Sequence, residues 1–271
     1  MRPPPIDLLV SDIDGTLVTP DKLLTSASIA AVKSLAAAGI AFSVVSSRPP
    51  RGMARIVEAL DVRLPFAAFY GGSLMGPAHS LITAYRLKAP TADEILKLLA
   101  RREIDAWVFV DETWRLRDPH GAYVERERRT VGFDPTVVEH FEDLGDRIDK
   151  IVGVSTDHVH LAAVEAEAQA LLGASAIAQR SQLYYLDFTA PEADKGQAVR
   201  AICAQVGVPP ERTAVIGDMA NDVPMFQVAD FSVAMGQAPD TVKAQAKAVT
   251  TPNAEEGFAR AVEDFILPRS G

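Results

Sequence analysis

Short apolar runs alternate with longer stretches in which apolar residues recur every three or four positions, and the alternation runs through most of the chain. Leu8, Leu9 and Val10 form a run without polar interruption, the pattern of a strand buried on both faces in a parallel sheet. Thr25 is placed to cap a helix that carries Ile29, Val32 and Leu35 on one face and is stopped by Gly39. Residues 40–45 read as a second buried strand, ending at Ser46-Ser47-Arg48-Pro49. Met53, Ile56, Val57 and Leu60 form the stripe of a second helix, and residues 66–70 a third strand. This β-α-β-α-β order predicts a doubly wound parallel sheet. The rhythm returns later, with a helix over 195–206 closed by Gly207 and Pro209-Pro210 and a strand at 213–216. A short helix at 221–228, a strand at 231–234 and helices at 240–247 and 255–265 follow.

The middle of the chain breaks this order. Thr91-Ala92-Asp93-Glu94 has the form of a capping box before Ile95, Leu98 and Leu99. Strands are expected at 106–110 and 114–117, a mixed-charge helix at 123–130 and a strand at 148–154. An alanine-rich helix at 158–172 and strands at 174–178 and 183–188 complete the region. Trp107 and Trp114 alternate with apolar residues, as in hairpin packing, and one of them is a candidate to close over a ligand. Asp111-Glu112 reads as the hairpin turn. The expected architecture is an α/β fold: a Rossmann-like core of residues 1–84 and 190–271 with an inserted α+β cap at 85–189, an ordinary domain size.

Composition removes several classes of function. The 271 residues carry a formal charge of −9 with no long basic run, which argues against nucleic acid as a partner. The densest basic patch, Arg126-Glu127-Arg128-Arg129, is interrupted by an acid and reads as a solvated helix face. The single cysteine, Cys203, excludes an internal disulfide and a cysteine-rich zinc site, and its apolar neighbours make it core filler. His158 and His160 stand at i and i+2, which cannot share a helical face, so they read as helix-start or surface residues. No charged leader with an apolar core precedes the first strand, and no apolar stretch reaches ~18 residues. The expectation is a soluble, cytoplasmic monomer or homodimer without a membrane partner.

Four segments place polar residues where strands end. Asp12 and Asp14 follow the first strand and precede a turn at Gly15; residues i and i+2 of a strand point the same way, so both carboxylates can converge past its carboxyl end. Open α/β sheets hold their ligands there. Taken alone, Asp-x-Asp-Gly is equally an Asx turn or cap. Ser46-Ser47-Arg48 offers hydroxyls and N–H groups to an oxyanion. Lys195-Gly196 puts a cation at a helix start, where dipole logic favours an acid, and so points to an anion that needs neutralising. Gly217-Asp218-Met219-Ala220-Asn221-Asp222 follows Val215-Ile216 directly.

In this order and spacing the chain resembles the haloacid-dehalogenase-like phosphohydrolases, specifically the Cof-type branch with a large α/β cap. The likeness is carried by Asp12-Ile13-Asp14-Gly15-Thr16, Ser46, Lys195-Gly196, Gly217-Asp218 with Asn221-Asp222, and Val233 to Ala238. The resemblance implies a phosphatase in which Asp12 attacks phosphorus to form an aspartyl-phosphate and Asp14 acts as acid and then base. It implies Mg2+ held by the Asp12 carboxylate, the Asp14 carbonyl and Asp218, with Asp222 beside them. Ser46, Ser47, Arg48, Gly71, Gly72, Lys195 and Asn221 would contact the substrate, a small phosphorylated metabolite such as a sugar phosphate or phosphorylated cofactor. A phosphomutase of the same superfamily is the nearest rival, and a non-catalytic phosphometabolite sensor the rival from another class. The metal has a physical reason: a carboxylate 4 Å from a phosphate dianion meets roughly 8 kcal/mol of repulsion at an effective dielectric of 20. Ser47, Tyr70 and Gln237 stand where the family usually has Gly, Asn and Asn. Those departures bear on substrate choice more than on chemistry.

Overall fold

The computed structural model describes residues 5–142 and 144–270. Residues 1–4, assigned above to the core by position, lie outside the described residues. In chain order the first half contains β1 (Leu8–Ser11), α1 (Ser26–Ala37), β2 (Ala41–Val44), α2 (Pro50–Ala59), β3 (Phe66–Ala68), β4 (Ser73–Met75) and β5 (Leu81–Ala84). The middle contains α3 (Ala89–Arg101), β6 (Asp105–Val110), β7 (Thr113–Leu116), α4 (Val124–Val131), β8 (Thr136–Val137), β9 (Ile148–Val154), α5 (His158–Leu172), β10 (Ile177–Gln182) and β11 (Tyr185–Thr189). Then come α6 (Lys195–Val206), β12 (Thr213–Gly217), α7 (Val223–Val228), β13 (Phe231–Ala234), α8 (Asp240–Lys243), β14 (Ala248–Val249) and α9 (Gly257–Ala261).

The expected parallel sheet is present, in the order β14-β13-β12-β1-β2. Leu9 belongs to the apolar cluster on one face, Leu8 and Val10 to the cluster on the other. An uninterrupted apolar run is what a strand covered on both sides requires. The chain leaves β1 toward β2 and returns to its other side as β12, so the strand order reverses at β1. Such a reversal opens a crevice at the carboxyl ends of the strands. A second, six-stranded sheet in the order β10-β11-β9-β6-β7-β8 comes from the inserted region and encloses its own apolar cluster with α3 and α5. Thr25 caps α1 as expected, accepting the Ser28 N–H at 3.1 Å.

Several local expectations fail. The third strand is not a ladder strand of the parallel sheet: β3 begins a separate three-stranded antiparallel sheet with β4 and β5, joined to the parallel sheet's side by the Val45–Ala67 bridge and packed into the core through Phe66 and Ala68. It ends at Ala68 because Phe69 and Tyr70 turn through φ of 49° and 62°. The Thr91 capping box is inside α3, which starts at Ala89 with Pro90 in its first turn; the Ala89 N–H is instead accepted by Asp146 at 2.7 Å. The last two inserted strands start three and two residues later than expected, the first because Gly173 and Ser175 form a turn, the second where the β10–β11 register shifts after Arg180. The helix expected over 240–247 stops at Lys243 and is followed by the edge strand β14.

Trp107 and Trp114 pack edge to face at 5.0 Å, and both are buried where the inserted sheet meets the core. Asp111-Glu112 is the β6–β7 turn, and Cys203 is buried against Thr213 at 3.3 Å. His160 meets the Arg102 carbonyl and His158 the Tyr123 hydroxyl. Among the described residues no helix is long and apolar enough to cross a membrane.

Candidate active site

Asp12 is the first residue past β1, its N–H donating to the Ile216 carbonyl at 2.9 Å, so the sheet ladder itself fixes its position. Gly15 turns the chain with φ +89°, and a Cβ there would lie 2.2 Å from Asp218 Oδ2. Only glycine lets this loop touch the loop after β12. Helix α6 begins at Lys195, its start capped by Asp194, which accepts the Gln197 N–H at 3.0 Å. Lys195 Nζ thereby sits between Asp12 Oδ1 at 2.7 Å and Asp222 Oδ1 at 2.6 Å. Asp222 Oδ2 accepts the N–H groups of Asp218 and Met219 at 2.8 and 2.9 Å, closing the turn after β12. Gln237 bridges the two loops, donating to the Gly15 carbonyl at 2.6 Å and to Asp218 Oδ2 at 3.3 Å.

Three buried carboxylates thus surround one ammonium. Burial pushes Asp12 up to about 7; Lys195 opposes this only in part, and Asp222 adds repulsion. Burial, then the charges of Asp12 and Asp222, raise Asp218 well above the carboxylate range. Burial alone would lower Lys195, but Asp12 and Asp222 outweigh it and raise it, so the ammonium stays charged. Asp12 Oδ2 and Asp218 Oδ1 are buried without a hydrogen-bond partner. Carboxylate oxygens of Asp12, Asp218 and Asp222 come within 4.8 Å of one another. Hard oxygen donors with surplus negative charge suit a divalent cation such as Mg2+. The two unpartnered oxygens belong to Asp12 and Asp218, whereas both oxygens of Asp222 are engaged by Lys195 and the turn. Asp222 is therefore built as a clamp on Lys195 rather than as an available ligand.

Asp14 is held differently. Arg48 grips it with two parallel bonds, Nε to Oδ2 at 2.6 Å and Nη2 to Oδ1 at 2.8 Å, and Lys22 Nζ adds a third at 2.8 Å. Burial favours its neutral form, but Arg48 and then Lys22 prevail and hold the carboxyl well below its usual range. In this arrangement Asp14 is an ionised base, not a loaded proton donor. Arg48 also donates to the Thr130 carbonyl of α4 at 3.0 Å, and Lys150 of β9 to the Ser47 carbonyl at 3.1 Å. Tyr70, placed by its left-handed backbone, donates its hydroxyl proton to Asp187 of β11. These three contacts tie the inserted helix α4 and sheet to the core loops.

The cavity above Asp12 is lined by Asp14, Ser47, Arg48, Lys195, Asp218 and Asn221, as the sequence led us to expect. Four expected residues do not line it, Asp222 being fully buried beneath Lys195. Ser46 is fully buried behind it, its Oγ accepting the Arg48 N–H at 3.2 Å. Gly71 and Gly72 pack on the start of α6; a Cβ on Gly71 would lie 2.9 Å from the Asp194 carbonyl and from Ala198. Sequence reasoning missed Lys22, Glu127, Lys150 and Tyr184, which also line it. Glu127 had a usable signal: it is three residues after Val124 and four before Val131, on the buried face of α4. Of the supposed solvated face, Arg126 also lines the cavity, which leaves Arg128 and Arg129.

A family profile described as haloacid dehalogenase-like hydrolase matches residues 9–262. The chain is 26% identical over 258 residues to a putative phosphatase of Haemophilus influenzae, covering 94% of this chain and 96% of that one. It is 24% identical over 274 residues to a 5-amino-6-(5-phospho-D-ribitylamino)uracil phosphatase of Bacillus subtilis, covering 96% and 97%. Its fold matches a crystal structure of a haloacid dehalogenase-like hydrolase from Bacteroides thetaiotaomicron with a TM-score of 0.85 and 24% identity, over 95% and 98% of the two chains. The chain belongs to the haloacid dehalogenase-like hydrolases, and the Cof-type branch expected from its motifs is borne out.

Proposed function

We propose that this haloacid dehalogenase-like hydrolase is a magnesium-dependent phosphatase that hydrolyses a small phosphorylated metabolite through an aspartyl-phosphate on Asp12. Its phosphatase activity agrees with the names of its full-length relatives. The observation that carries the finer reading is the pair of buried, unpartnered oxygens on Asp12 and Asp218 beside Lys195. Asp12 and Asp218 would hold Mg2+, with the Asp14 carbonyl, and the bound ion would neutralise phosphate charge that this acidic cluster otherwise repels.

Lys195 fixes the Asp12 rotamer through Oδ1 and presents positive charge to the phosphoryl group, while Asp222 holds Lys195 in place. An Asp12 oxygen forms a bond to phosphorus as the ester oxygen leaves; that oxygen takes a proton from Asp14. Water, giving its proton to Asp14, then cleaves the Asp12–phosphorus bond and restores the carboxylate. Because Arg48 and Lys22 keep Asp14 ionised in the free enzyme, its turn as a donor requires that this grip loosen when substrate arrives and that Asp14 first take up a proton from solvent or from the incoming phosphate monoester. Ser47, which lines the cavity, would contact phosphoryl oxygens, while Ser46, buried behind it with its hydroxyl accepting the Arg48 N–H, would shape that loop. The reading also takes residues 1–84 and 190–271 as core and 85–189 as cap, the cap covering the leaving group and excluding water.

The test is phosphate release from a panel of phosphorylated metabolites, with and without chelator. Turnover that requires Mg2+ and is restored poorly by Ca2+, which prefers looser and higher coordination, is the expected result. Full turnover in metal-stripped protein would sink the proposal.

A further inference from the structure

Helix α4 carries a carboxylate that the chemistry at Asp12 does not use. Glu127 is 9% exposed, lies on the face shared with Val124 and Val131, and lines the same cavity as Asp12. The nearby cations are engaged elsewhere: Arg48 on Asp14, and Lys150 on the Ser47 carbonyl at 3.1 Å and on Asp187 at 3.6 Å. Among the described residues Glu127 makes no ion pair. Burial raises its carboxyl, and Lys150 pulls it back only in part. A carboxylate in such a place destabilises the fold unless something donates to it; the Tyr185 hydroxyl faces it from one side, and the open side is the cavity.

The neighbours restrict what that donor can be. Lys150 is 5% exposed and brings an ammonium to the same wall, and Ser181 and Gln182 at the end of β10 add groups that both donate and accept. Tyr184 is no free platform for a flat ring: it is stacked on Tyr123 at 4.2 Å, and the Arg126 guanidinium is 5.1 Å from its centroid. A hydroxyl group donates one hydrogen bond and accepts others, which matches an acceptor carboxylate set beside ammonium and amide donors. A second acid on the ligand would instead face the Glu127 charge.

We infer that Glu127, with Lys150 and Gln182, forms a subsite for the hydroxyl groups of an uncharged sugar or polyol, and that it selects against phosphate esters whose leaving group carries a further acid. This inference rests on the phosphatase reading and narrows its substrate class.

The test compares wild type with Glu127→Gln, which keeps shape and removes charge, and Glu127→Ala. The probes are a set of aldose and polyol phosphates including sorbitol 6-phosphate; 6-phosphogluconate, which replaces a terminal alcohol by a carboxylate; and acetyl phosphate, which has no hydroxylated part. Wild type is expected to favour sorbitol 6-phosphate over 6-phosphogluconate by at least about tenfold in kcat/KM. Glu127→Gln should lower kcat/KM for the best polyol substrate by roughly tenfold to a hundredfold, mainly through KM, as for loss of a hydrogen bond to a charged group. The loss on acetyl phosphate should be about tenfold smaller, and discrimination against 6-phosphogluconate should narrow. Equal losses on all three probes would mark Glu127 as merely structural and overturn the inference. So would a wild type that prefers the acid, or one that hydrolyses acetyl phosphate but none of the polyol esters. A wild type inactive on every probe with Mg2+ would instead remove the phosphatase reading, and the inference with it.

Discussion

The two aspartates of the first loop differ by their partners rather than by their type. Asp12 meets one ammonium and two further carboxylates, Asp14 a guanidinium and an ammonium. If Asp14 supplies the leaving-group proton, Asp14→Asn should slow the first step far more for alkyl phosphates than for nitrophenyl phosphate, whose leaving group needs little protonation. Single-turnover measurement of that step checks this, and equal damage with both esters would count against the role. The raised carboxyls of Asp12 and Asp218 also set a pH dependence. A carboxyl raised above its unfolded value favours the fold at low pH, and that contribution fades as pH rises through the folded value. Mg2+ needs the ionised forms, so protons compete with it. The rise in Tm on adding Mg2+ should therefore be small at pH 5.5 and grow toward pH 8. A pH-independent rise would mean that the ion binds away from these carboxylates.

At the scale of elements, strands buried on both faces and helices with an apolar stripe were legible, because period and burial agree there. Leu8 to Val10 and the stripe of α2 are such cases. The turn at Phe69-Tyr70 was not legible: its left-handed backbone is carried by two aromatic residues, not by the glycine or asparagine that announces such turns. What holds it is tertiary, the Tyr70 hydroxyl on Asp187, 117 residues away in sequence. Tyr70→Phe should therefore leave Asp187 as a buried acceptor with only Lys150 nearby and destabilise the protein by ~1–3 kcal/mol. Denaturant unfolding measures this. An unchanged stability would show that the bond contributes nothing net. The site followed the same division. Residues brought in by strand ends and helix starts were found, whereas Lys150 and Tyr184 reach the cavity through packing of the inserted sheet on the core, which no local pattern encodes.

For the whole molecule, strand order decides where chemistry is possible. The reversal at β1 opens a crevice, the loops after β1 and β12 meet across Gly15, and α6 delivers one lysine between the carboxylates. The inserted sheet then covers that crevice through Arg48, Lys150 and Tyr70. The central claim is that Asp12 carries the phosphoryl group during turnover. Removing its charge by Asp12→Asn should lower turnover by several orders of magnitude, as for other covalent nucleophiles. The most direct measurement is rapid acid quench of the working enzyme, followed by mass analysis of its peptides. The account predicts one added phosphoryl group on the peptide containing Asp12, dependent on Mg2+ and absent from Asp12→Asn. A phosphoryl group on any other residue, or an Asp12→Asn enzyme that turns over like wild type, would contradict it.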